Sequence, residues 1–177
     1  MTEYIALLRG VNVGGITVKS ADLRDLFESL GFTSVRTVLA SGNVAFEHGG
    51  REASAKVKAR IERALGDRFG YEAWIVLITR ERLAAVVGAF PFDERLEGWH
   101  PYVLFGSDAE HLEALADAAG ELDPGDDVVV AGDGVLYWHN RRARGIDSAF
   151  AKLAAKAVYK RTTTNRNLRT LHKLLAP

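Results

Sequence analysis

Apolar positions along the chain switch between short unbroken runs and spacings of three and four, and the switches mark the elements. Tyr4 to Leu8 is an unbroken run ahead of a glycine-rich stretch, the signature of a buried strand. Ser20, a good N-cap, precedes Leu23, Leu26, Phe27 and Leu30 at helical spacing, and Gly31 supplies the stop. Val35 to Leu39 and Val44 to Phe46 flank Ser41-Gly42-Asn43, turn chemistry that predicts a hairpin. Val57, Ile61 and Leu65 predict a second helix ending near Gly66, and Trp74 to Ile78 a further strand, so residues 3–79 read βαββαβ.

A short helix near residues 80–88 and a connection through Pro91 and Gly98 lead into the second half. Tyr102 to Phe105 predicts a strand, and Ser107-Asp108-Ala109-Glu110 a capping box for a helix bearing Leu112, Leu115, Ala116 and Ala119, closed by Gly120. Val128 to Ala131 and Val135 to Trp138 form a hairpin across Gly132-Asp133-Gly134. Asp147 is the expected cap of a helix with Phe150, Leu153, Ala154 and Ala157 inward and Lys152, Lys156 and Lys160 on its solvent face. Thr164 is the expected cap of a last helix carrying Leu168, Leu171 and Leu175, so this half reads βαββα plus a terminal helix.

The two halves echo each other. Tyr4-Ile5-Ala6-Leu7-Leu8 matches Tyr102-Val103-Leu104-Phe105, and Ala40 to Phe46 matches Ala131 to Tyr137 in pattern, with helices in corresponding places. Two copies of one split βαβ motif account for this. The expected fold is α+β: two tandem ferredoxin-like (βαββα-type) halves packed as one compact unit, with a C-terminal helix. The expected boundaries are 1–79 for the first half, 80–100 for the connecting helix and loop, and 101–177 for the second half with the C-terminal helix.

Composition narrows the class. With 47% hydrophobic residues in 177, the chain can bury a core without staples, and with no cysteine it can form neither a disulfide nor a thiolate metal site. No basic leader and no apolar run of about 18 residues is present, so a cytoplasmic protein without a membrane partner is expected. The balance of 23 basic against 23 acidic side chains hides a segregation: residues 93–133 carry a net charge of −11 and residues 134–177 one of +9. Either these parts face each other or each meets a different partner. Oligomeric state stays open.

The most distinctive candidate for chemistry is Arg9-Gly10-Val11-Asn12-Val13-Gly14-Gly15, between a predicted strand and a predicted helix. Such a loop presents backbone N–H groups to an anion, and Arg9 adds a positive fork. It is neither a Walker loop, since Val18 precedes Lys19-Ser20, nor a G-x-G-x-x-G fingerprint, and a purely conformational use of the glycines stays open. Ser41 and Asn43 in the hairpin and Arg166 near the C-terminus could join it. Ser41 lacks a G-x-S-x-G context and reads as a turn serine. His48, His100, His111, His139 and His172 show no metal-ligand spacing and read as surface or satisfied histidines, so no metal and no cofactor are expected. Asp126 and Asp127 are adjacent, alternate faces on a strand, and read as keeping a loop solvated. Tyr137, Trp138, His139, Arg141, Arg142 and Arg144 interleave aromatics with cations, which suits nucleic-acid contact. The RNP pattern is incomplete, however, so core aromatics followed by a basic loop are the plainer reading.

Tyr4 to Gly15, Ala21-Asp22-Leu23-Arg24, Gly31 to Thr37, Ser41-Gly42-Asn43-Val44, Phe90-Pro91-Phe92 and Thr164-Asn165-Arg166-Asn167 together resemble the bacterial domain-of-unknown-function family numbered 1697. Where that family usually runs Thr-Thr-Arg-Asn-Trp-Asn-Thr, this chain has Asn165, Leu168 and Arg169 at the second, fifth and sixth places. The resemblance implies an α+β fold with two ferredoxin-like halves and no activity. Three readings of function follow from the residues. The first is a site for a small anionic ligand, phosphorylated ones included, at Arg9, Gly10, Asn12, Gly14, Gly15, Ser41, Asn43 and Arg166. The second is a structural or protein-interaction module in which those residues only build the fold. The third, expected to be weak, is nucleic-acid binding through Trp138, Arg141, Arg142 and Arg144.

Overall fold

The computed structural model describes residues 1–10, 15–39 and 42–177. The chain divides into two compact units, Met1–Ala84 with Lys173–Pro177, and Ala85–His172. In the first, β1 (Thr2–Arg9), α1 (Ser20–Ser29), β2 (Thr33–Thr37), β3 (Asn43–His48), α2 (Ser54–Phe69) and β4 (Trp74–Thr79) follow in the expected order. They build an antiparallel sheet ordered β2-β3-β1-β4. After α3 (Arg80–Gly88), the second unit adds β5 (Trp99–Gly106), α4 (Ala109–Ala119), β6 (Asp127–Ala131), β7 (Val135–Arg141), α5 (Ala149–Ala154), α6 (Ala157–Lys160) and β8 (Thr163–Asn167), and α7 (Leu168–Leu175) ends the chain. Its sheet runs β6-β7-β5-β8. Replacing each strand number of the first sheet by that number plus four gives the second, so the internal echo is a repeat of topology.

Alternation along the strands sets each core. On β1, Tyr4, Ala6 and Leu8 face Leu23, Leu26 and Phe27 of α1 and Val57, Ile61 and Leu65 of α2. Leu104, Leu136 and Trp138 likewise meet Leu112 and Leu115 of α4 and Phe150 of α5. Gly31, at φ +86°, turns the chain out of α1 as its position after Leu30 predicts.

Several boundaries differ from expectation, each for a local reason. The second helix continues past Gly66 to Phe69 and stops at Gly70, whose φ of +69° is the left-handed cap geometry. Lys19, not Ser20, occupies the N-cap of α1 and gives no side-chain cap. At α4 the cap is Asp108, whose carboxylate accepts from the Glu110 and His111 amides. Ser148 replaces Asp147 as cap of α5, its hydroxyl accepting from Ala151 N, while Asp147 closes a preceding 3-10 turn. The helix expected to carry all three lysines breaks at Lys156, whose ψ of 141° is non-helical. Thr164 caps nothing. It lies in β8, which pairs antiparallel with β5, Phe105 opposite Thr164 and Tyr102 opposite Asn167. On α7 the buried leucines are Leu168, Leu171 and Leu174, with Leu175 half-buried.

The largest correction concerns Asp126 and Asp127. Only Asp126 behaves as a solvated carboxylate, 3.5 Å from Arg141 Nε and 3.3 Å from Arg144 Nε. Asp127 is 5% exposed. Its Oδ1 accepts from Trp138 Nε1 at 2.8 Å, Asn140 Nδ2 at 3.1 Å and Ser148 Oγ at 2.9 Å, and its Oδ2 accepts from Phe150 N at 3.1 Å. One carboxylate thus ties β6 to β7 and to the start of α5. A buried anion is tolerated only when donors saturate it in this way.

Candidate functional site

Arg9 ends β1 opposite Trp74 of β4, and the preceding residue, Leu8, donates its N–H to Gly42 O at 2.8 Å. One residue further back, Leu7 pairs with Asn43. The described start of the glycine-rich loop and the described end of the hairpin therefore meet at one end of the first sheet. Gly10 follows with φ +77°, a conformation that an L side chain resists, and a Cβ there would stand 3.8 Å from the Tyr71 ring. Gly15 takes φ +84° in open surroundings. Asn12, Gly14 and Ser41 lie outside the described residues.

Two side chains give this end of the sheet its chemistry. Arg9 is half-buried, its pKa lowered by desolvation, and among the described residues it has neither a hydrogen-bond nor an ion-pair partner. Tyr71, in the turn between α2 and β4, has a buried hydroxyl with no hydrogen-bond partner among the described residues. Burial pushes its pKa up to about 12, which keeps the group a neutral O–H donor. A cation without a counter-charge and a donor without an acceptor are each costly when water is restricted. Sequence reasoning passed over Tyr71, because a lone tyrosine after a helix stop carries no spacing signal; its buried hydroxyl and a ring close to the position of a Gly10 Cβ single it out.

The other candidates are committed elsewhere. Asn43, 6% exposed, donates from Nδ2 to Val38 O at 3.0 Å, and its own carbonyl accepts from Val38 N at 2.9 Å, so it closes the hairpin turn. Arg166 belongs to the second unit, on β8, where it donates to Thr164 Oγ1 at 2.6 Å and to Asn165 O at 2.9 Å, and burial draws its pKa down to about 10.

The aromatic and basic stretch at the end of β7 is also largely occupied. Trp138 is 6% exposed, with its indole N–H on Asp127 and its ring against Phe150 and Tyr102 at 4.9 and 5.0 Å. Arg141 lies 4.8 Å over Trp99 and donates to Gly125 O, and Arg144 pairs with Asp126. Arg142 is exposed, its N–H on Gly98 O. His139 departs from the surface-or-satisfied expectation. It is 5% exposed, its Nε2 has no partner among the described residues, and its ring lies between Phe92 and Trp99 at 5.1 and 5.0 Å. Among the described residues no group of His, Asp and Glu is arranged to hold a metal ion, and no helix is long and apolar enough to cross a membrane.

A family model described as "Protein of unknown function (DUF1697)" matches residues 1–137. No curated protein matches the chain. Among solved structures, that of the conserved bacterial protein SP0830 from Streptococcus pneumoniae is similar in fold. Its TM-score is 0.81 at 24% identity, over 98% of this chain and 97% of that one.

Proposed function

We propose that this chain, which belongs to the DUF1697 family of proteins of unknown function, binds a small anionic, phosphate-bearing ligand at the C-terminal end of β1. The observation that carries the reading is Arg9: half-buried, without a partner among the described residues, and next to the positive-φ Gly10. In this reading the guanidinium provides charge and a bidentate fork, and Tyr71 provides a neutral donor. The same reading takes backbone and side-chain donors from Asn12, Gly14 and Gly15 of the glycine-rich loop and from Ser41 of the hairpin. The absence of cysteine suits a cytoplasmic setting.

Calorimetric titration of the intact protein with inorganic phosphate, pyrophosphate and a panel of nucleotides and sugar phosphates is the test. At least one panel member binds, with affinity lost in Arg9→Ala and reduced in Tyr71→Phe. Absence of binding by the whole panel, or an Arg9→Ala variant that binds as the parent does, contradicts the proposal. For Asn43 the bond to Val38 O favours the structural reading. Asn43→Ala should lower the melting temperature without a selective effect on ligand affinity.

A further inference from the structure

An open groove between α4 and the β6–β7 hairpin of the second unit has a volume of about 410 Å³. Leu112, Ala116, Val135 and Leu136 make its walls apolar, and Glu113 and Asp117 bring two carboxylates to its lining. Gly132 and Gly134 also line it and contribute only backbone. The volume lies within the roughly 300–1,000 Å³ of small-molecule sites.

The charges on α4 are arranged against the helix. Glu113 and Asp117 are four apart, on one face, where like charges repel. Asp117 sits near the C-terminal end, where the helix dipole is already negative. From Ala109 to Ala119 the helix contains no lysine or arginine, and across residues 93–133 Arg95 is the single basic residue. Both carboxylates are exposed, and neither has a hydrogen-bond or ion-pair partner among the described residues. A helix that needed only to be solvated is better served by a lysine at one of these places. Beside an apolar groove, the same pattern attracts a positive charge carried on an apolar body.

We propose that this groove is a binding site for a small organic cation, a protonated amine on an aromatic or alkyl frame, whose apolar part fills the space beside Leu112 and Leu136 while its ammonium group meets Glu113 and Asp117. This site is separate from the anion site in the first unit, and neither proposal depends on the other.

The test is an amide-resolved NMR titration of the intact protein with three probes of one shape: phenylbutylamine, phenylbutanol and phenylbutyrate. The amine shifts the amides of Ala116, Gly132 and Val135 saturably. The alcohol binds the same place about tenfold more weakly, from about threefold for each exposed ion pair, and the carboxylate more weakly still. Glu113→Gln combined with Asp117→Asn brings the amine down to the affinity of the alcohol and leaves the melting temperature unchanged or raised. Ala116→Phe, which fills the groove without touching charge, removes binding of amine and alcohol alike. Equal affinities for amine and alcohol, an amine affinity untouched by the double substitution, or shifts confined to residues outside the groove would each overturn the proposal.

Discussion

Replacing Asp127 by alanine should be among the most damaging single changes in the second unit, and the same change one residue earlier among the mildest. Four donors converge on the Asp127 carboxylate. Asn140 Nδ2 keeps Gly145 O and Ser148 Oγ as acceptors, and Ser148 Oγ, a free rotor, still accepts from Asn140 Nδ2 and Ala151 N. Trp138 Nε1 and Phe150 N have no such alternative among the described residues and are left buried. At about 1–3 kcal/mol for each orphaned donor, the expected cost is about 2–6 kcal/mol. That is a large share of the roughly 5–15 kcal/mol typical of a folded protein, and corresponds to a fall in Tm of about 4–24 °C. Asp127→Asn retains an acceptor for the three donors on Oδ1 but turns an N–H₂ toward Phe150 N, so it falls between parent and alanine. Asp126→Ala removes only contacts to Arg141 and Arg144, all partly exposed, and should cost no more than about 1 kcal/mol. Urea denaturation of the four proteins reads these differences directly. An Asp126→Ala variant as unstable as Asp127→Ala, or an Asp127→Ala variant within about 1 kcal/mol of the parent, would refute the reasoning.

Acid should weaken the second unit through His139, whose pKa is lowered by burial, with Asp93 opposing. A histidine with a depressed folded pKa binds its proton more readily when unfolded, so its contribution is complete above the ordinary value near 6.5 and is lost as pH falls from there toward the folded pKa. His139→Phe should flatten the dependence of urea midpoints between about pH 7.5 and 5.5, leaving the slope from His100, which burial, Arg142 and Arg169 lower in the same sense; an unchanged slope counts against the burial argument. Gly132→Ala would place a Cβ 2.5 Å from Tyr137 Cε2, on a ring whose hydroxyl is held by Val86 O, and should cost about 1–3 kcal/mol by calorimetry. Gly49→Ala, with nothing within 4 Å, should be neutral. Nucleic acid should bind no tighter than about 10 µM at about 150 mM salt. Sub-micromolar affinity by fluorescence anisotropy, abolished by Arg141→Ala with Arg142→Ala, would reverse that expectation.

Period and punctuation in the sequence were enough for seven of the eight strands of the two sheets and for the repeat between them. The missed strand shows why the rest was hidden. Thr163-Thr164-Asn165-Arg166-Asn167 has no apolar alternation, because at the edge of its sheet the backbone ladder to β5, more than side-chain burial, defines the strand. Asp127 was illegible for a related reason: its donors come from residues 11 to 23 positions further along, and no local pattern distinguishes it from Asp126. At the candidate site the glycine and arginine chemistry stood out in the sequence. The buried hydroxyl of Tyr71, without a partner among the described residues, and the nearness of its ring to Gly10 could be found only in three dimensions.

The most direct test of the anion site follows the Arg9 side chain itself. In a nitrogen-resolved NMR titration with pyrophosphate, the Arg9 Nε–H and the Gly10 amide should shift together and saturate with a single affinity, and the Tyr71→Phe variant should show the same shifts at weaker affinity. Unmoved Arg9 and Gly10 signals at saturating pyrophosphate, or shifts confined to other arginines, would contradict the account.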